Sequence, residues 1–372
     1  MILTTCAACA APLAHDAPRC VRCKIRYCDS TCQHDHWRRG HKQMCKKIHR
    51  GGNAEQYNAD KKYKEAVAVA VEACAKDTKG QTCYICTQAL HWKTKEGLVR
   101  MCACRGTAGF AHVSCLAEQA KILVAEVEEN NLGDKAMDVR FARWYSCSLC
   151  EQQYHGVVGC ALGWACWKTY LGRPETDTAR KLAMNLLGNS LAIANHHVDA
   201  LTVKEAELSM HQRVGGPEEH ILATRSNLAM TYRALGREEE ALHLRREVYS
   251  GRLKLNGEEH EETLRAAFNY ANSLLSLQRY AEAKALLRKT MPVARRVLGE
   301  GNRLTLKMRW TYAKALYKDN RATLDDLREA VSTLEDAERT ARQVLGGVHP
   351  TTGEIERALR DARAALQAAT EK

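Results

Sequence analysis

From about residue 179 onward, apolar residues recur in paired helical stripes with one long period. Asn227, Ala229, Leu235, Arg237, Ala241 and Leu244 return 42 residues later as Asn269, Ala271, Leu277, Arg279, Ala283 and Leu286. Thr263-Leu264 return as Thr305-Leu306, and an insertion near Lys318 to Leu324 stretches the next spacing to 47 residues, onto Thr352. Leu186 to Gly215 read as a weaker first copy, offset by 41 residues. The pattern predicts four helix pairs and a closing helix near Glu354 to Ala368. One amphipathic pair cannot bury its apolar stripe alone, so a period of this length predicts a solenoid whose units cover one another. Small residues at Ala229, Ala241, Ala271 and Ala283 allow close helix approach, and the Leu and Ala stripes are core.

The chain before residue 179 follows other patterns. Tyr57 to Ala75 is rich in the helix formers Ala, Lys and Glu, although Val67, Val69 and Val71 alternate as a strand would. Leu116 to Asn130 reads as an amphipathic helix ended by Asn130-Asn131 and Gly133. Gly156 to Leu171, with Trp164, Trp167, Cys160 and Cys166, reads as a packed hinge helix stopped at Gly172-Arg173-Pro174; nothing near its two cysteines completes a metal site. The first 50 residues hold too few large apolar side chains for a core of their own.

Cysteine and histidine replace that core. One series runs Cys6, Cys9, Cys20, Cys23, Cys28, Cys32, His41, Cys45, and a second runs Cys83, Cys86, Cys102, Cys104, His112, Cys115, Cys147, Cys150. Each is a full set of eight ligands, enough for four closed tetrahedral zinc sites per chain. A catalytic zinc keeps a position open for water, whereas four protein ligands fill the shell, so these sites hold folds. In the first series, alternate pairing ties the segment together: Cys6, Cys9, Cys28 and Cys32 on one zinc, and Cys20, Cys23, His41 and Cys45 on the other.

Of seventeen cysteines, fourteen fall in these patterns; Cys74, Cys160 and Cys166 are left over, an odd number that fits a reducing compartment, cytoplasmic or nuclear. Met1 to His15 lacks the basic start of an export signal, and the uncharged stretch Gln152 to Trp167 is too short and polar to span a bilayer, so no membrane span is expected. The formal charge of +12 counts every cysteine as neutral. Fourteen thiolates around four Zn²⁺ bring it to about +6. The cluster Arg38, Arg39, Lys42, Lys46, Lys47 and Arg50 then reads as a solvated face, and nucleic acid is not the expected partner.

With Tyr27-Cys28 before Cys32-Gln33 and then Trp37, His41 and Cys45, the first series closely resembles the MYND zinc finger. The HIT-type finger shares most of the cysteine spacing but lacks counterparts of Gln33 and Trp37. The resemblance implies a groove for short proline-containing peptides lined by Gln33 and Trp37; the plainer reading is that Trp37 covers the zinc site. The second series has Cys102-x-Cys104, His in fifth position, Cys104-Arg105-Gly106-Thr107, Phe110-x-His112-x2-Cys115-Leu116 and Cys147-Ser148-Leu149-Cys150, and so resembles the RING-CH finger. That implies Cys83, Cys86, His112 and Cys115 on one zinc and Cys102, Cys104, Cys147 and Cys150 on the other, with Ile85 as an apolar contact for a ubiquitin-conjugating enzyme. Three features depart from the family: Gln119 stands where its Trp is usual, Glu151 replaces an Arg, and 31 residues separate Cys115 from Cys147. The family is also mostly membrane-anchored. The turns Leu255 to His260, Leu298-Gly299 and Gly346 to Pro350 resemble those of kinesin-light-chain-type tetratricopeptide repeats, which implies a groove for extended peptides with Asn227 and Asn269 bonding the peptide backbone. The plainer reading is that these asparagines satisfy backbone groups between helices.

The expected architecture is mainly α, two small zinc-stabilised modules followed by an α-solenoid of tetratricopeptide-like helix pairs. Its segments are 1–50 (MYND-type finger), 51–82 (helical linker), 83–155 (RING-CH-like finger), 156–178 (hinge helix) and 179–372 (repeats). With no phosphate-binding Gly loop and no nucleophile-base pair, the expected function is that of an adaptor binding proteins through short peptide motifs. The alternative is a RING-CH-type ubiquitin ligase, an enzyme without its own nucleophile, that recruits substrate through the finger and repeats.

Overall fold

A computed structural model describes residues 5–371 apart from Pro12 and His15. Part of Met1 to His15, the stretch read as lacking an export signal, therefore lies outside the described residues. The architecture is mainly α: fifteen α-helices and no strand among the described residues, with three isolated antiparallel bridges in the cysteine-rich loops. No helix of the described residues is long and apolar enough to cross a membrane. The chain divides into two compact units, Met1–Gly216 and Pro217–Lys372.

In the first unit the finger loops lead into α1 (Ser30–His36), capped by the Asp29 carboxylate, which accepts from the Cys32 N–H at 2.8 Å. A single π turn, Trp37–His41, with Gly40 at φ 122°, links α1 to α2 (Lys42–Arg50). α3 (Ala54–Cys74) starts on an Asn53 cap. Here helical period prevails over valine alternation, since Val67 is buried while Val69 is exposed. α4 (Val113–Glu129) is the amphipathic helix expected from sequence, followed by α5 (Asp134–Phe141) and a 3₁₀ turn, Ala142–Trp144.

The segment read as a hinge is instead the centre of the first unit. α6 (Gly156–Tyr170) has no polar face, and such a helix is stable only when covered all round. It buries Val158, Leu162, Trp164 and Trp167 against α3, α4 and α7 (Thr178–Ile193). A Cβ at Gly163 would lie 2.9 Å from Ser190 Cβ, so glycine is what lets α6 and α7 touch. α8 (His197–Val214) packs on α7, and one continuous core runs from Ala59 to Met210. The weaker first copy of the repeat, α7 and α8, thus belongs to the first unit.

The second unit holds α9 (Glu218–Ala234), α10 (Glu238–Asn256), α11 (Glu261–Ser276), α12 (Tyr280–Leu298), α13 (Arg303–Tyr317), α14 (Leu324–Leu345) and α15 (Pro350–Thr370). Each packs on the next in sequence, as in a solenoid. The turns between pairs repeat one device. Gly257, Gly299 and Gly346 take φ of 80°, 88° and 85°, a region L-residues avoid. Three residues on, His260, Asn302 and His349 cap the next helix by accepting N–H groups of Glu262, Leu304 and Thr351. Thr263 and Thr305 hydroxyls then donate back to the carbonyls of Arg252 and Ala294.

The core of this unit changes along its length. Leu287 and Leu334 occupy matching positions on α12 and α14, and both are fully buried; the matching residue on α10 is Arg245, only 6% exposed. Burial and the charge of Arg233 push the Arg245 guanidinium down to about 10, against the pull of Glu238. Its Nε has no hydrogen-bond partner within the described residues.

Candidate metal centres

The structure brings the sixteen expected ligands into four groups, each with ligand atoms within 4.8 Å of one another: Cys6, Cys9, Cys28, Cys32; Cys20, Cys23, His41, Cys45; Cys83, Cys86, His112, Cys115; and Cys102, Cys104, Cys147, Cys150. Four of the cysteine pairs sit on one local device, a knuckle. In the first, Cys6 N–H donates to the Ala11 carbonyl at 2.8 Å, Ala10 N–H donates to the Cys6 carbonyl at 2.9 Å, and Ala10 turns left-handed at φ 61°. The same two bonds and left-handed turn recur at Cys20 (Lys24, φ 65°), Cys83 (Thr87, φ 61°) and Cys147 (Glu151, φ 58°). The tight turn aims backbone N–H groups at sulfur: Ala8, Ile85 and Leu149 donate to Cys6, Cys83 and Cys147 Sγ at 3.4 Å each.

The spacings fit zinc. Tetrahedral geometry with Zn–S of about 2.3 Å and Zn–N of about 2.0–2.1 Å requires S···S near 3.8 Å and S···N near 3.5 Å. Cys20 and Cys45 sulfurs are 3.7 Å apart, Cys104 and Cys147 3.8 Å, Cys9 and Cys28 3.6 Å. His41 Nε2 lies 3.4 Å from Cys23 Sγ, and His112 Nδ1 lies 3.4 and 3.5 Å from Cys86 and Cys115. The two histidines therefore present different ring nitrogens. His112 directs its other nitrogen to the Ala89 carbonyl at 3.4 Å, as a zinc-bound imidazole does when its outer N–H fixes the ring.

Charge argues for a cation in each group. Burial raises the Cys6 thiol, yet backbone N–H groups of Cys9, Ala8 and Cys28 outweigh it and hold the thiol down at about 6. Its neighbour Cys32 is pushed up to about 12 by desolvation and the adjoining sulfurs. In the fourth group the Gln152 N–H lowers Cys150 to about 7, while burial lifts Cys104 to about 11. Neighbouring thiolates cannot all ionise side by side unless a positive ion sits among them. Backbone N–H groups likewise lower Cys20 and Cys83 against burial, so one thiolate in each group is prepared by hydrogen bonds, and Zn²⁺ supplies what the rest lack. Each chain thus offers four zinc sites.

Packing around the ligands explains several nearby residues. A Cβ at Gly109, at φ 84°, would lie 2.6 Å from Cys104 Cβ, so only glycine passes there. His36 stacks on His41 at 4.9 Å and is held by Tyr27, whose hydroxyl is 3.0 Å from His36 Nδ1. Trp37 meets His41 edge-on at 5.6 Å and stays 39% exposed, with half-buried Gln33 a turn earlier. Ile85 is 37% exposed at its knuckle tip and Leu149 52% at another, and a Tyr84–Ser148 hydroxyl bond of 3.0 Å joins the two knuckles. Leu149 carries no sequence signal of its own, since knuckle tips are read only once the pairing of knuckles is known. Gln119 is half-buried on α4. In the second unit Asn227 on α9 and Asn269 on α11 are both half-buried.

Comparison with known proteins finds three family matches along the chain. A MYND finger matches residues 6–45, a RING-variant domain residues 83–131, and a tetratricopeptide repeat residues 220–296. The second match stops before Cys147 and Cys150, which lie beyond the inserted α4–α5 stretch. Ubiquitin carboxyl-terminal hydrolase 17 of Arabidopsis thaliana is 46% identical over 50 residues, which are 13% of this chain and 7% of that protein's length. Among solved structures, BtubC (BKLC) from P. vanneervenii is 14% identical with a TM-score of 0.43, over 70% of this chain and 90% of that one. Nearly identical TPR-like repeats of a kinesin light chain candidate from Podosopora anserina are 18% identical with a TM-score of 0.43, over 62% of this chain and 97% of that one. The chain carries, in order, a MYND finger, a RING-variant domain and tetratricopeptide repeats, and so is built from modules of protein–protein interaction.

Proposed function

We propose that the chain is an adaptor that joins proteins through short peptide motifs. The observation that carries this reading is the filling of all four metal shells by protein ligands, which leaves zinc a structural part and puts function on the surfaces it holds. The finger, taken as residues 1–50, offers Gln33 and Trp37 for a proline-containing peptide, with Trp37 braced by the ligand His41. The repeats, taken as 179–372, offer Asn227 and Asn269 to an extended peptide backbone. Zinc thiolates and unpaired cysteines favour a reducing compartment, cytoplasmic or nuclear.

A second reading is supported by Ile85 and Leu149, apolar and exposed on two joined knuckles, where a ubiquitin-conjugating enzyme would dock; the chain would then be a ligase without a nucleophile. Ubiquitin transfer assayed with a panel of conjugating enzymes separates the two. The adaptor reading expects no transfer, together with proline-peptide binding that Trp37→Ala weakens at least ten-fold. Transfer that Ile85→Ala abolishes, with four zinc retained, would replace it by the ligase reading.

A further inference from the structure

A fifth knuckle lies beside the third zinc group and holds no cysteine. His91 N–H donates to the Glu96 carbonyl at 3.0 Å, Lys95 N–H donates to the His91 carbonyl at 2.9 Å, and Lys95 is left-handed at φ 59°. These are the bonds and the turn of the four zinc knuckles. Where those aim an N–H at sulfur, here the Thr94 N–H and hydroxyl reach His91 Nδ1 at 3.1 and 2.9 Å. An imidazole and a hydroxyl thus close the turn that metal closes elsewhere. The buried His91 ring stands edge-on to the ligand His112 at 5.3 Å. Glu96 fastens the far end, accepting from Ser114 N–H at 2.7 Å and Ser114 Oγ at 2.9 Å. The turn is thus fastened at both ends without metal.

The Trp92 ring meets the His91 ring at 6.0 Å between centroids but otherwise faces outward. Trp92 is 67% exposed and Leu90 is exposed beside it. Leu90 also lines a cavity of about 360 Å³ whose walls include Val71, Ala75, Ala89 and Leu98 and no charged side chain. Outside it Lys93 and Lys95 flank Trp92, and Lys76 and Lys79 follow Ala75; all four are exposed and none is in an ion pair. Of the acids in the same stretch, Glu96 is turned to Ser114, leaving Glu72 and Asp77 exposed. A large aromatic residue on a preorganised turn is the kind that dominates binding energy, because little entropy is lost in fixing it.

We infer that the His91–Glu96 knuckle and the adjoining cavity form a docking surface for an acidic peptide segment of another protein with one bulky apolar anchor. The anchor fills the uncharged cavity, Trp92 covers it, and the lysines pair with the acidic flanks. This surface is separate from Trp37, Ile85 and the repeats and does not depend on the adaptor reading of those sites. A nucleic acid would find Trp92 and the lysines but has no aliphatic group for the Val71, Leu90 and Leu98 wall of the cavity, whose polar members are the uncharged Thr78, Gln81 and Thr82.

A random dodecapeptide display selection on the zinc-loaded full chain, sorted by loss of binding to Trp92→Ala, tests this. Expected are peptides with acidic residues around a Leu, Ile or Phe, weakened roughly 30-fold by Trp92→Ala. Lys93→Glu with Lys95→Glu should weaken them several-fold, and salt should do the same. Leu90→Asp should abolish binding. All variants should keep four zinc and an unchanged circular dichroism spectrum, since the turn's hydrogen bonds are made by His91, Thr94, Lys95 and Glu96 and not by the Trp92 or Lys93 side chains. Selection yielding no Trp92-dependent peptide, or only peptides without net negative charge, overturns the inference, as does Trp92-dependent binding of a single-stranded 20-mer in place of peptides.

Discussion

The finger and the second unit are ordered by different means. Around the first two metal groups the buried apolar set besides cysteine is Ile25, Tyr27, Ile48 and Ala54, far less than a core requires. From Leu264 to Ala362 the second unit buries Leu287, Leu306, Tyr312, Leu316, Leu334 and Ile355, among others, with no metal group among its described residues. The RING-variant module stands between them: its loops hang on zinc, but α3, α4 and α6 share one core. Dependence on metal should therefore fall along the chain, steeply after the finger and again after residue 216.

Chelation is the largest test. A structural zinc supplies about 10–16 kcal/mol to a small domain at pH 7. Metal analysis should give four zinc per chain, and stripping them should leave residues 6–50 without hydrogen-exchange protection. The α3, α4 and α6 amides should keep part of theirs, and the helical circular dichroism of 217–371 should not change. A uniform loss of protection along the whole chain would break the comparison. Cys20→Ser should release zinc from the finger alone, read as loss of protection confined to residues before Asn53.

Packing should dominate at the other end. Leu334→Ala empties a fully buried site and should cost about 2–5 kcal/mol in chemical denaturation of the second unit, with zinc content unchanged. Arg245→Leu should do the opposite, raising stability by about 1 kcal/mol, because an apolar side chain in place of an unpaired buried cation removes a desolvation penalty and matches Leu287 and Leu334. A fall in midpoint would mean that Arg245 has a use that its surroundings hide. Smallest is Ile85→Ala, expected to shift the thermal midpoint by less than about 1 °C, since an exposed side chain contributes little to stability.

These contrasts were unevenly legible in the sequence. Ligand spacing marked all sixteen metal residues, because their pairs are local in the chain; how they group came from alternate pairing in the first series and from the RING-CH resemblance in the second. The repeat turns were legible for the same reason, each using Gly, then His or Asn, then Thr at fixed offsets. α6 was not: its lack of any charged face signals a helix covered on all sides, but a sequence does not say by what, and of its neighbours only α7 is close along the chain, while α3 and α4 lie well upstream. The unit boundary after Gly216 was hidden likewise, since α7 and α8 carry the repeat's helical pattern while their core continues that of α6. The fifth knuckle leaves no trace in spacing, because His91 and Thr94 close it without the residue type that marks the other four.

The stretch between Cys115 and Cys147 also sets an order of events while the chain is being made. Cys83, Cys86, His112 and Cys115 are all synthesised before α4, so the third group can take its metal early. Cys102 and Cys104 must wait for α4, α5 and the 3₁₀ turn before Cys147 and Cys150 exist, a delay of roughly 2–9 s at about 5–20 residues per second. Through that interval they form an open dithiol, able to bind metal weakly or be oxidised. The insertion thus turns two interleaved sites into an early and a late one.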